Sequence, residues 1–221
     1  MPPVIEVRRI QDWALLPHKQ RIERADGREE AAHLARDFRY HRAFRRPEAC
    51  PPWVLGQEAG WVLPAPITVE LGPFQDAQIG PDEDLATAGR LLGMGEFWRR
   101  GDGYIGAERT SWLRSYQYRG KDDAWEAMFV PNGQGTAEWH LGFALRIPPE
   151  YLLLITGCDD QDGFSIPTGL LTERQVNKSW DSGFSIAIRP TTPTPVHRGD
   201  PVARMMLLHR DSLQAQLQEQ T

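Results

Sequence analysis

Apolar positions along this chain fall in short runs, each closed by glycine or proline, and the dominant period is two. The clearest case is TAEWHLGFALRIP, where Trp139, Leu141, Phe143 and Leu145 fall on one side and Glu138, His140, Gly142, Ala144 and Arg146 on the other. That alternation predicts a strand over 136–147 with one greasy and one polar face. YLLLIT at 151–156 is apolar on both faces and predicts a central, buried strand. FSIAI at 184–188 and VARMMLL at 202–208 complete the C-terminal set. The expected core contains Trp139, Leu141, Phe143, Leu145, Leu153, Ile155, Phe184, Ile186, Ile188, Val202 and Met206.

Upstream, PVIEVR at 3–8 predicts a first strand, and Trp53, Val54 and Leu55 a short buried segment. WVLP after Gly60 and the β-branched ITVEL at 67–71 read as further extended pieces. SYQYR at 115–119 and AMFVP at 127–131 do the same, the latter followed by a loop at 132–135. Residues 72–90 show no sustained period and predict a long loop, with a helical turn over 82–92 and the potential to act as a lid. Gly101, Gly103 and Gly106 are read as turn residues. The period changes only at GREEAAHLARDFRYHRAFRR, where Ala31, Leu34 and Phe38 share a helical face, with Asp26 and Glu29 forming a capping box and Pro47 ending the helix. The second half of this helix carries Arg36, Arg39, Arg42, Arg45 and Arg46. They suit either an exposed face complementing the helix dipole or a patch for a phosphate or a partner.

The pattern therefore predicts a mainly β protein, a β-sandwich or distorted β-barrel of jelly-roll type, with a peripheral N-terminal helix. Its organisation is a strand and amphipathic helix over 1–46 packed on the core, a β-rich domain over 47–210 and a polar tail over 211–221, one structural domain overall. Eighteen prolines and twenty glycines in 221 residues suit that class better than a helical bundle. A hydrophobic content of 40% and a charged content of 25% are globular rather than disordered. The net charge of -5 argues against a partner bound through a global positive field, so nucleic acid is not expected. No apolar run nears the roughly 20 residues of a membrane helix, and the first residues lack an apolar leader core, so a cytoplasmic protein is expected. Cys50 and Cys158 form no CxxC pair, which excludes a zinc ribbon. Eight tryptophans supply anchors for a core, an oligomer interface or a stacking platform.

Glu138 and His140, two apart on one strand, point the same way and could serve as a general acid and base or as two ligands of a metal. Further metal ligands would have to come from His197, His209 or Asp200. The candidate ligand-binding residues are Arg146 on the same face, with Trp180 and Asp181 in the turn before 184–188; Asp181 could equally close an Asx turn. Arg198-Gly199-Asp200-Pro201 reads as a turn into the last strand, whose start Pro201 restricts. No nucleophile elbow, P-loop or zinc-protease helix motif is present, and the residues name no cofactor.

The succession GFALRIPPEYLLLITG, PTGLL, WDSGFSIAI and VHRGDPVARMML resembles the C-terminal half of the dCTP deaminase and dUTPase superfamily. RGDPVARM at 198–205 is similar to its final strand motif, and Trp180 to Phe184 to its turn. The resemblance implies a distorted β-barrel or jelly-roll fold, trimeric, with nucleotide sites between subunits. The serine-rich phosphate-binding segment is replaced by GCDDQDGFSIPT, and Ala187 and Ile188 stand about where a deaminase carries its catalytic glutamate. Over 45–208 the order Cys-Pro, Gly60-Trp61, IPPEYLLLITG, GLL-T and GDPVA also looks like a group of uncharacterised bacterial proteins sharing a domain of unknown function. Three functions follow. One is a small-molecule or nucleotide-binding β-domain, which could extend to an enzyme of a biosynthetic or nucleotide pathway, with Glu138, His140 and Arg146 in one pocket near Trp180. The others are an oligomeric interaction module and a metal-dependent enzyme using Glu138 and His140.

Overall fold

The computed structural model describes residues 2–23, 47–108, 111–159 and 161–219, together with Glu29 and Ala32. The helix expected over 27–46, with its arginine run, lies outside them except for Glu29 and Ala32, both helical. What is described is mainly β, and every strand pairing is antiparallel.

Two four-stranded sheets carry the core. The first orders Phe164–Ser165, Ser185–Pro190, Thr136–His140 and Phe129–Gly133; the second orders Gly169–Thr172, Tyr151–Thr156, Pro201–His209 and Trp61–Pro64. Phe129, Trp139, Ile186 and Ile188 from one share a single buried cluster with Leu63, Leu153, Ile155 and Met205 from the other. Two inner faces closing on one interior is the arrangement of a β-sandwich. A three-stranded sheet of Asp76–Ile79, Gly103–Glu108 and Met94–Arg100, and three two-stranded pairs, surround this frame. Among the described residues no helix is long and apolar enough to cross a membrane.

Ten of the eleven core residues expected from the period-2 pattern are buried. The exception is Met206, which is only half-buried, while its neighbour Met205 is enclosed. The pairing of Pro201–His209 with Trp61–Pro64 slips between Pro201 and Ala203. Such a bulge inserts one residue and reverses which side chains face inward beyond it.

Four other expectations change. The segment at 136–147 is two strands in two different sheets, Thr136–His140 and Phe143–Arg146, broken at Gly142 with φ +75°. The helical turn expected over 82–92 forms, but the 72–90 stretch is not one long loop. It holds the strand Asp76–Ile79 and enters the helix Leu85–Leu92, whose N-cap Asp84 accepts from the Ala86 and Thr87 amides. Gly103 and Gly106 lie inside a strand, where a Cβ would meet the Ile79 carbonyl oxygen at 2.6 Å or the Phe97 ring at 2.9 Å. Trp53, Val54 and Leu55 belong to the helix Pro51–Glu58, in which only Val54 is buried. The 197–200 turn forms as read: the Asp200 carboxylate accepts from the His197 amide at 2.8 Å, and Pro201 opens the last strand.

Candidate functional site

The break at Gly142 builds a cleft beside His140. Thr136–His140 runs between Phe129–Gly133 and Ser185–Pro190, with Trp139 turned into the core and Glu138 and His140 on the opposite face. After His140 the chain turns, and the Gly142 carbonyl accepts the amides of Ile10 and Gln11 at 2.9 Å each. Phe143–Arg146 then pairs with Glu6–Arg9. A side chain at Gly142 would place its Cβ 2.6 Å from the Trp13 ring, so this position requires glycine on grounds of both φ and space.

Four chain segments meet here and enclose a cleft of about 200 Å³. His140, Gly142 and Phe184 form its floor, Ile10, Gln11, Tyr118 and Gly183 its walls, and Lys121, Asp122, Glu126, Asp181 and Ser182 its rim. The hairpin of Gln117–Arg119 and Trp125–Ala127 overhangs it, and Lys121 Nζ at the tip donates to the Asp181 carbonyl at 2.6 Å. Tyr118 donates its hydroxyl to Glu126 Oε2 at 2.8 Å, and its ring lies 6.4 Å from that of His140. Burial, and then that acceptor with its negative charge, push the Tyr118 hydroxyl well above the usual tyrosine range.

His140 is the unusual group. Its Nδ1 is buried and has no hydrogen-bond partner among the described residues. Burial lowers its pKa below the ordinary histidine value; the charges of Glu138 and Glu126 oppose that shift and Arg100 adds to it. At neutral pH the ring is therefore uncharged, offering one donor and one acceptor.

Glu138 sits beside His140 but is already engaged. Its carboxylate accepts from Arg100 at 2.8 Å and from the Ser185 hydroxyl at 2.5 Å. Arg146 leaves this face altogether. Its guanidinium lies 4.1 Å from the Trp180 ring centroid, and Arg8 lies 4.7 Å from the same ring. Arg8 also bonds to the Trp180 carbonyl and approaches Asp181 Oδ1 at 3.4 Å. The expectation that Glu138, His140 and Arg146 share one pocket is thus corrected: the turn at Gly142 sends Arg146 to the Trp180 stack. Of the five residues singled out from the sequence, His140 and Asp181 line the cleft, Glu138 adjoins it, and Trp180 and Arg146 lie outside its lining. The turn at 181–183 is closed by the Gly183 amide on the Ser179 carbonyl, at 2.7 Å.

Sequence reasoning missed Tyr118, Glu126, Lys121 and Arg100. Only the alternation of SYQYR hinted at the first, since the others reach the site through tertiary contacts. Among the described residues no group of three or more His, Cys, Asp or Glu side chains is placed to hold a metal ion. His209 packs against Tyr151 on the other sheet, and His197 and Asp200 belong to their own turn, so none of the three joins His140.

No protein-family model matches the chain, and no curated protein matches it by sequence, so the likeness to the uncharacterised bacterial group rests on the quoted residues alone. Among solved structures the chain is similar to a dUTPase from phage phi11 of S. aureus, at 11% identity and a TM-score of 0.40, covering 99% of this chain and 94% of that one. It is similar to the Staphylococcus bacteriophage 80alpha dUTPase at 10% identity and a TM-score of 0.40, over 99% and 94%. For the EIAV dUTPase the values are 10% and 0.35, over 74% of this chain and 86% of that one. Likenesses this distant carry no argument about what the His140 cleft does.

Proposed function

We propose that this chain is a small-molecule-binding β-domain whose site is the cleft floored by His140. One observation carries the reading: the half-buried, uncharged imidazole of His140 lines a concave space that also presents the Phe184 and Ile10 side chains. A concave surface that joins apolar side chains to convergent polar groups is how small-molecule sites are commonly built. In this reading His140 is the recognition group and Tyr118 a positioning wall. Glu138 holds the strand face through Arg100 and Ser185, and Asp181 shapes the rim.

The test is a fragment titration followed on the histidine ring signals by NMR. Bound fragments are expected to move His140 and the amides of Gly142 and Gly183, and His140→Phe should abolish those shifts while the protein stays folded. Fragments that bind only elsewhere, or that bind His140→Phe equally well, would remove the proposal.

A second reading, an oligomeric interaction module, draws support from exposed apolar side chains outside the lining of the cleft. Leu91 is 80% exposed and Trp125 62% exposed. A mass measured in solution by light scattering that equals one chain at all concentrations would discard it.

A further inference from the structure

The charge around the cleft narrows the kind of molecule it can take. Its rim carries the carboxylates of Asp122, Glu126 and Asp181 against the single ammonium of Lys121. Lys121 is turned onto the Asp181 carbonyl oxygen, and Asp181 has Arg8 at 3.4 Å from outside the lining. Glu126 holds only the Tyr118 hydroxyl, and among the described residues no cation pairs with Asp122 or Glu126. The floor adds no positive charge, because burial keeps the His140 ring neutral near pH 7. Arg100, whose charge acts on His140, is paired with Glu138. Below the rim, Ile10 and Phe184 offer apolar surface, and the Tyr118 ring stands to one side.

From this arrangement we propose that the cleft binds a small organic cation, a primary amine carried on an apolar or aromatic body, rather than a phosphorylated molecule. The inference rests on the cleft being a ligand site. The ammonium meets Asp122 and Glu126 at the rim, where the Tyr118 ring face adds an electrostatic contact for a cation. The body covers Phe184 and Ile10, and its far end lies against the His140 ring. A phosphate would bring one to two further negative charges into a concavity whose unpaired groups are already anionic. Clefts lined by one sign of charge concentrate ligands of the opposite sign and repel their own.

The experiment uses the intact protein with isotope-labelled histidine and three probes. Tyramine and 4-hydroxyphenylacetate share a phenol ring and differ in the sign of their charge, and inorganic pyrophosphate tests the phosphate alternative. Tyramine is expected to move the His140 signals with a Kd at least about tenfold below that of the acid, with pyrophosphate silent. Asp122→Asn combined with Glu126→Gln should narrow that ratio to about twofold or less, and added salt should weaken tyramine binding. Both substitutions lie on the exposed rim, and an unchanged His209 signal would show that the fold is kept. If the acid or pyrophosphate binds His140 as tightly as tyramine, the cation class is wrong and the cleft remains a site. If tyramine is silent while neutral or anionic fragments move His140, the same holds. If neither these probes nor the fragment set moves His140, both the ligand class and the site fall together.

Discussion

Replacing Arg100 and Glu138, singly and together, tests whether the polar face beside His140 is held by a specific pair. Arg100 and Glu138 meet at 2.8 Å with side chains 33% and 30% exposed, and the Ser185 hydroxyl donates to the other carboxylate oxygen. The gross attraction at that distance is about 6 kcal/mol at an effective dielectric of about 20, and about 1.5 at that of water. Desolvating two charges cancels most of it, so the net coupling expected for a pair buried to this degree is about 1–2 kcal/mol. Single truncations should cost more than the coupling alone. Glu138→Ala strands a guanidinium whose Nε is already buried without a partner, for about 2–3 kcal/mol. Arg100→Ala leaves Glu138 its Ser185 bond and should cost about 1–2 kcal/mol. The double variant should then lose about 1–2 kcal/mol less than the two singles added together.

Urea unfolding of the four proteins gives the cycle, and repeating it at high salt separates a part-buried pair from a screened surface contact. His140 provides an independent readout. The Glu138 charge raises its pKa and the Arg100 charge lowers it, so Glu138→Gln should move the His140 titration down and Arg100→Met should move it up. A coupling within about 0.3 kcal/mol of zero, together with an unmoved His140 titration, would refute the reasoning. Glu138 would then be free to meet a ligand directly.

Three further outcomes follow from the same geometry. Because burial lowers the His140 pKa, the folded state binds fewer protons than the unfolded state through the acid range. Stability should therefore be full above the unfolded value of about 6.5 and fall as pH drops below it, and His140→Asn should flatten that acid slope in urea titrations. Gly142→Ala forces a left-handed backbone on alanine and drives its Cβ to 2.6 Å from the Trp13 ring, for a loss of about 2–4 kcal/mol by chemical unfolding. Trp180→Leu removes both guanidinium contacts and should cost about 1–2 kcal/mol, while Arg8→Met or Arg146→Met alone costs less, as read from thermal unfolding.

The sequence made the interior legible because its signal is local. Trp139, Leu141, Phe143 and Leu145 are all fully buried, as their alternation required, even though they belong to two sheets. A chain that turns at a glycine can preserve parity, so the pattern read straight through Gly142 and concealed the change of partner. Parity failed where an inserted residue intervened, at the bulge that exchanges Met206 for Met205. The helix Leu85–Leu92 could be read only as a helical turn over 82–92, for another reason. Eight residues give barely two turns, too few for a 3.6-residue period to stand out from the surrounding polar stretch.

The site was legible only in part, and Gly142 explains which part. A cleft needs strands to diverge, and divergence is set by pairings among residues far apart in sequence. Here Ile10 and Gln11 bind the Gly142 carbonyl, and Leu141 donates to Phe184. Those pairings bring the N-terminal segment and the 181–184 turn into the lining of the cleft beside His140, while Arg146 continues on the Glu6–Arg9 pair toward Trp180. His140 and Asp181 could be picked out because a polar residue in an alternating strand and an acid before a glycine turn stand out by type. Tyr118, Lys121 and Glu126 could not, because a short exposed hairpin looks the same whether it faces solvent or a neighbour. What makes this hairpin part of the site is the Lys121 contact across to Asp181, which joins two turns 60 residues apart and sets the sign of the charge at the mouth of the cleft.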